Sequence, residues 1–236
     1  MQFSDLESAK PNVCQLFNVV SLREERSLSR DSSTKHPSPG RPVDPELRDR
    51  RSAEILQVAA RLFAEHGYTN TNIQSIADHL QISKGLVYRY FASKEKLFAA
   101  CLEDAVNRLN ETIQSSVDPS HTPLAKLSQA VLSYLIFFHD NSEVVELFIQ
   151  ERVFFRDHTH STYFAHREAN MEPWRELLTD LAQKGEIQDL PAEQILDHIA
   201  DLLYGIIFTD RINGRRQQPE ERHVQIMNIL FQGLIK

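Results

Sequence analysis

From Asp44 onward, apolar residues return every three or four positions, the period of a helix with one buried stripe. The first stripe is Ile55, Ala59, Leu62 and Phe63, and Gly67 is placed to end that helix as a left-handed cap. Thr71 reads as the N-cap of a second helix with Ile73, Ile76, Ala77 and Leu80 inward. Ser83 caps a short third helix that ends near Phe91. Ser93 caps a long fourth helix to about Val117, striped by Leu97, Cys101, Ala105, Leu109 and Ile113. Pro119 and Pro123 interrupt the pattern, and Thr122 with Pro123 suits the start of the next helix. That helix carries Leu124, Leu127, Val131, Leu135 and Phe138. Glu143 to Phe155 predicts a further helix, and a bend at His158 to Ser161 leads into one running through Trp174 to about Lys184. Pro191 opens a helix that stops at Asn213-Gly214, and Pro219 opens the last. No convincing strand and no fixed-period repeat is legible, so the pattern predicts an all-α chain.

Residues 1–45 depart from this pattern. Ser21 to Arg41 is dense in Ser, Arg, Glu and Pro and ends in Pro37-Ser38-Pro39-Gly40-Arg41-Pro42, a composition that buries too little apolar surface to offset ordering entropy. A flexible arm is expected there, with Asn12 to Leu22 as a short apolar exception. Two cysteines, Cys14 and Cys101, make no disulfide framework and suit a reducing cytoplasm. No apolar run reaches the ~20 residues of a membrane span. The start of the chain lacks the basic-then-apolar order of a secretion signal.

The net charge of −7 argues at first against a nucleic-acid partner. Its distribution changes that. Lys and Arg balance Asp and Glu in residues 1–40, exceed them nine to seven in 41–96, and fall to twelve against twenty-one in 97–236. A mildly basic module on an acidic body orients itself on a polyanion.

The chemistry concentrates between Gln81 and Lys96. Three short helices with a tight connection between the second and third make a helix-turn-helix unit, whose last helix enters a DNA major groove. Ser83, Lys84, Gly85, Leu86 and Arg89 fall toward the outward, N-terminal side of that helix, while Val87 and Phe91 turn inward. Gly85 lets the backbone approach bases or phosphate. Tyr88 and Tyr90 offer hydroxyls to phosphates. Lys94 adds a cation at a helix N-terminus, and Gln74 on the second helix reaches toward a base edge or the backbone. Arg48, Arg50 and Arg51 lead into the first helix, within reach of backbone or minor groove.

These residues resemble the DNA-binding domain of the TetR family of transcriptional regulators. The pattern is Phe63-x-x-x-Gly67-Tyr68-x-x-Thr71, then Ile76-Ala77, then Ile82-Ser83-Lys84-Gly85-x-Val87-Tyr88-Arg89-Tyr90-Phe91-x-Ser93-Lys94-Glu95-x-Leu97. It covers roughly Glu46 to Leu102. The resemblance implies that Ser83 through Phe91 reads the groove and that Tyr88, Tyr90 and Lys94 grip phosphate. It places Thr71 within the DNA-binding motif. Gln81 departs from it, standing where the family has a turn glycine, at a cost of about 1 kcal/mol for a left-handed backbone.

The resemblance further implies a body that binds a small molecule and dimerises through its last two helices. Domains are therefore expected at 46–92, for the helix-turn-helix unit, and 93–236, for the ligand-binding and dimerisation domain. The apolar excess of Leu202, Leu203, Ile206, Ile226, Ile229, Leu230 and Leu234 suits a two-fold helix packing between copies, with simple core packing as the competing role. A pocket is expected among Phe137, Phe138, Phe148, Phe155, Tyr163, Trp174, Tyr204 and Phe208. His139, Glu151, Arg152, His166 and Asn170 supply polar anchors there. An apolar or aromatic effector fits such a lining.

No cofactor or metal is expected. His158-x-His160 with His166 lacks a completing ligand at convincing spacing. No nucleophile elbow, glycine-rich phosphate loop or zinc-protease motif occurs, so an enzyme is not expected. The sequence reading is a cytoplasmic, homodimeric, sequence-specific regulator of double-stranded DNA with a palindromic operator. It acts as a repressor released by a small molecule. An architectural or division-control DNA-binding protein without an inducer remains the alternative.

Overall fold

The computed structural model describes residues 45–155, 161–214 and 217–234, with side chains up to 230 in the last of these. The arm expected at residues 1–45 lies outside the described residues except for Pro45, as do the apolar segment Asn12 to Leu22, His158, His160 and the side chain of Leu234. The described residues belong to one compact unit. Among them the chain folds as ten helices, and the all-α expectation holds.

Helix α1 spans Pro45–Asn70, α2 Ile73–His79, α3 Lys84–Tyr90 and α4 Lys94–Ser116. Their apolar stripes meet in one core. Ile55, Phe63, Ile76, Val87 and Leu97 are fully buried in it. Each such side chain contributes roughly 1.5–3 kcal/mol relative to exposure. Ser83 caps α3 by accepting from the Leu86 amide at 3.2 Å, and Ser93 caps α4 by accepting from that of Lys96 at 3.1 Å.

Three local readings are corrected. Gly67 does not end α1 as a left-handed cap. Its φ of 81° and ψ of 156° lie in a region open essentially to glycine alone, and the helix kinks there before continuing to Asn70. Thr71 does not cap α2. Asn72 does, accepting from the Ser75 amide at 2.8 Å, because Thr71 is buried one residue earlier. The segment after residue 161 is two helices, α7 (Thr162–Ala169) and α8 (Glu172–Gln183), rather than one. Pro173 in the first turn of α8 has no N–H and would clash with the preceding turn.

The turn between α2 and α3 fits its expected geometry. Gln81 adopts φ 53°, in the left-handed region. The Gln81 amide donates to the Asp78 carbonyl at 3.1 Å and the Ile82 amide to that of Ala77 at 3.0 Å. This pair of bonds requires the left-handed residue and aims the chain into α3.

In the body, α5 (Pro123–Asp140) and α6 (Glu143–Phe154) pack beside α4 and α1. Thr122 caps α5. Helices α9 (Ala192–Asn213) and α10 (Pro219–Leu234) complete the body, and Gly214 ends α9 with φ 62°. Arg222 of α10 pairs with Asp210 of α9 at 2.9 Å, and Arg211 with Glu146 of α6 at 2.6 Å.

Candidate nucleic-acid interface and effector cavity

Helix α3 presents a short polar face. Val87 points into the core, while Lys84, Gly85, Tyr88 and Arg89 are exposed and Leu86 is half-buried. The Lys84 ammonium lies 5.8 Å from the centre of the Tyr88 ring, a weak cation–π contact that groups charge and hydroxyl. A side chain at Gly85 would touch only the Ser83 hydroxyl, at 4.0 Å, so the backbone there is open to close approach. Ser83 is exposed, with its oxygen engaged as the cap. Gln74 is exposed on α2 and donates to Asp78 at 2.7 Å. Arg48 is exposed in the first turn of α1.

Three expected contacts stand differently. Thr71 is 2% exposed and its hydroxyl shares its one proton between the carbonyls of Leu62 and Gly67, both at 2.9 Å, so it has no surface to offer DNA. Tyr90 is half-buried against the core, leaving Tyr88 as the prominent tyrosine. The Lys94 ammonium donates to the Thr69 carbonyl at 3.1 Å and sits 4.5 Å from the centre of the Tyr68 ring. Burial lowers its pKa from the usual lysine range. Lys94 thus ties the start of α4 to the end of α1.

A cavity of about 140 Å³ opens in the body between α4, α5, α7, α8 and α9. Of the expected pocket residues, the aromatics Tyr163 and Trp174 and the polar anchors His166 and Asn170 line it. The structure adds Asn110, Tyr134, Arg167 and Met171, with Leu109, Ile113, Val131 and Ile199 among the apolar walls. The Tyr134 and Tyr163 hydroxyls are 3.1 Å apart. Burial pushes both phenols above the ordinary tyrosine range, Tyr134 well above it. One phenol donates to the other, so one O–H of the pair remains available as a donor. His166 bonds Glu103 at 2.8 Å and Arg167 bonds Asp197 at 2.6 Å, while the Arg167 Nε is buried without a hydrogen-bond partner among the described residues.

The other expected pocket residues are elsewhere. Phe137, Phe138 and Phe148 pack in the core, with Phe138 and His139 beside a separate hollow lined also by Asp210 and Arg222. Phe155 packs on Tyr68 and Phe98 at the head side of the body, with centroids 5.1 and 5.4 Å away. The Tyr204 and Phe208 rings pack against each other at a tilt of 39°, with centroids 4.4 Å apart. Arg152 is exposed. Glu151 is buried and accepts from the Thr162 amide and hydroxyl at 2.9 and 2.6 Å. Aromatic density marked the core because packing and ligand walls draw on the same residue types. The residues missed on α4 and α7 sit at helical spacing facing the gap, a signal that needs the helix arrangement to read.

The terminal helices divide the expected dimer residues. Leu203 lines the cavity and Ile226 is buried within its own subunit, so neither offers contact surface. Leu202, Ile206 and Leu230 are half-buried. Ile229 is 66% exposed, accompanied by Val224 at 57% and Ile212 at 75%. A side chain at Gly205 would meet nothing within 4 Å among the described residues, which leaves this part of α9 open to close helix approach.

Residues 55–101 match the family model for bacterial regulatory proteins, tetR family. The regulator HbdR of Aromatoleum sp. (strain CIB) is 32% identical over 92 residues, 39% of this chain and 40% of that protein. The repressor KstR2 of Mycolicibacterium smegmatis is 33% identical over 105 residues, 44% of this chain and 51% of that protein. The chain thus spans about half the length of these curated relatives. The ketosteroid transcriptional regulator KstR2 of Mycobacterium tuberculosis is similar in fold over 79% of this chain and 95% of that one, with TM-score 0.62 and 23% identity. The fatty acid degradation regulator FadR of Bacillus halodurans is similar over 76% and 94%, with TM-score 0.66 and 17% identity.

Proposed function

We propose, for a chain whose helix-turn-helix head belongs to the tetR family of bacterial regulatory proteins, that it is a sequence-specific repressor of transcription in the cytoplasm, released from DNA by a small molecule. The observation that carries this reading is the exposed face of α3, where Lys84, Gly85, Tyr88 and Arg89 project from a helix anchored by Val87. Lys84 and Arg89 read base edges and Tyr88 grips phosphate, with Gln74 and Arg48 at the margins. Two copies pair through α9 and α10 and present two reading helices to a palindromic operator, its half-sites about one helical turn apart or a multiple of it.

The effector reading is supported by the cavity. Its volume is close to the roughly 150 Å³ that accommodates benzene in an engineered core. An apolar or aromatic compound about one ring across, with an oxygen that accepts from the Tyr134–Tyr163 pair, matches these walls. Similarity in fold to a ketosteroid regulator and a fatty acid degradation regulator supports an apolar effector. The cavity favours this reading over an architectural protein without an inducer.

Selection of duplexes from a random pool tests the DNA reading. The expected result is a two-fold-symmetric motif bound with steep salt dependence. Binding that ignores base order would overturn it. Release of the selected duplex by toluene-sized or phenol-sized compounds tests the effector reading.

A further inference from the structure

The kink at Gly67 leaves α1 with a break near the reading head, and a side chain from the body fills it. The Tyr68 amide, the first donor after the break, gives its hydrogen to the Gln150 Oε1 at 2.7 Å. The Gln150 Nε2 donates to the Phe63 carbonyl, before the break, at 2.8 Å. One buried amide on α6 thus binds both sides of the kink, where backbone groups at a helix end otherwise need water or a cap. The next residue, Glu151, faces a different neighbour. Its carboxylate takes the Thr162 amide and hydroxyl at the start of α7, where Ser161 makes no side-chain cap bond. Helix α7 carries Tyr163, His166 and Arg167 on the cavity wall, with Asn170 directly after its last residue.

Resting on the effector reading above, we propose that Gln150 and Glu151 form the joint through which the contents of the cavity set the position of the reading head. Occupancy moves α7, Glu151 carries that displacement to α6, and Gln150 delivers it to both sides of the α1 kink. Both are positioning residues. The competing route is α4, which borders the cavity with Val106 and Leu109 and packs against α1 with Phe98 and Cys101. Only the joint depends on the Gln150 amide, and that makes the two routes separable.

The test replaces the unidentified effector with a substitution that fills the cavity. Ala130 lines it from α5, and Ala130→Leu occupies part of the space permanently. Affinity for a duplex recovered by selection is measured for Ala130→Leu in the parent and in Gln150→Met, with helical content and melting checked for each. Filling is expected to weaken binding about tenfold in the parent, within the usual range of coupling between sites, and less than about twofold in Gln150→Met. Gln150→Glu, which keeps the acceptor for Tyr68 but loses the donor to Phe63, serves if Gln150→Met does not fold, with the same loss of coupling expected. Glu151→Gln keeps an acceptor for Thr162 and retains the roughly tenfold effect. An equal loss in parent and Gln150 variants overturns the joint and assigns the signal to α4 while leaving the effector reading intact. No loss in the parent overturns the effector reading and the joint together.

Discussion

The hydroxyl of Thr71 donates to the carbonyl of Leu62 at 2.9 Å, spanning the kink at Gly67. The Gly67 carbonyl, also 2.9 Å away, shares the same proton, so this side chain holds the head's first connection closed from within. Thr71→Val keeps the shape and removes the donor. The expected cost is about 1–3 kcal/mol of stability, from buried carbonyls that lose a partner. Denaturant unfolding checks it, and the base preference of the selected operator stays as in the parent. A variant that melts normally but selects a different motif would return Thr71 to the DNA surface.

The paired phenols in the cavity wall predict alkaline sensitivity. Burial raises the pKa of Tyr134 and Tyr163 in the folded chain above the ordinary value near 10. The unfolded chain therefore releases these protons first as pH rises. Their contribution to stability is whole below about pH 10 and is lost progressively above it. Tyr134→Phe, compared with the parent by denaturant unfolding from pH 8 to 11, flattens the alkaline slope. An unchanged slope would mean the phenols are not shielded.

Lys84 and Lys94 separate a cation directed outward from one already engaged. Lys84→Ala is expected to lower the salt slope of operator binding by about one and to relax base preference. Lys94→Ala lowers the slope less, because its ammonium is bonded to Thr69 and rests on Tyr68. Affinity titrations at several salt concentrations check the order. Equal slope changes would show that Lys94 leaves Thr69 for phosphate.

Two isoleucines on α10 distinguish assembly from folding. Ile229 is 66% exposed and Ile226 is buried. Ile229→Asp is expected to shift a dimer toward monomer in sedimentation, with melting little changed. Ile226→Asp destabilises the subunit itself, since an unpaired charge enters the core. An intact dimer in Ile229→Asp would move the contact away from this face.

Much of this molecule was legible in one dimension. Periodicity found the helices, and Ser83, Ser93 and Thr122 marked their starts because a cap acts within three residues of itself. The resemblance implied a left-handed backbone at Gln81, which stands where the family has a turn glycine, and its φ is 53°. The cap expected at Thr71 and found at Asn72, and the split at Pro173, are local differences, each with a signal in the sequence.

What only the tertiary structure decided are relationships between distant residues. The sequence set which positions are apolar and which can donate or accept. It did not set that Gln150 would enter a break 82 positions away, that Lys94 would fold back on Tyr68, or that Leu203 would face a cavity and Ile229 the outside. A helical stripe fixes the side that is buried, because the period is intrinsic to the backbone. The neighbour it is buried against depends on how the helices share space, and that information belongs to the packed chain.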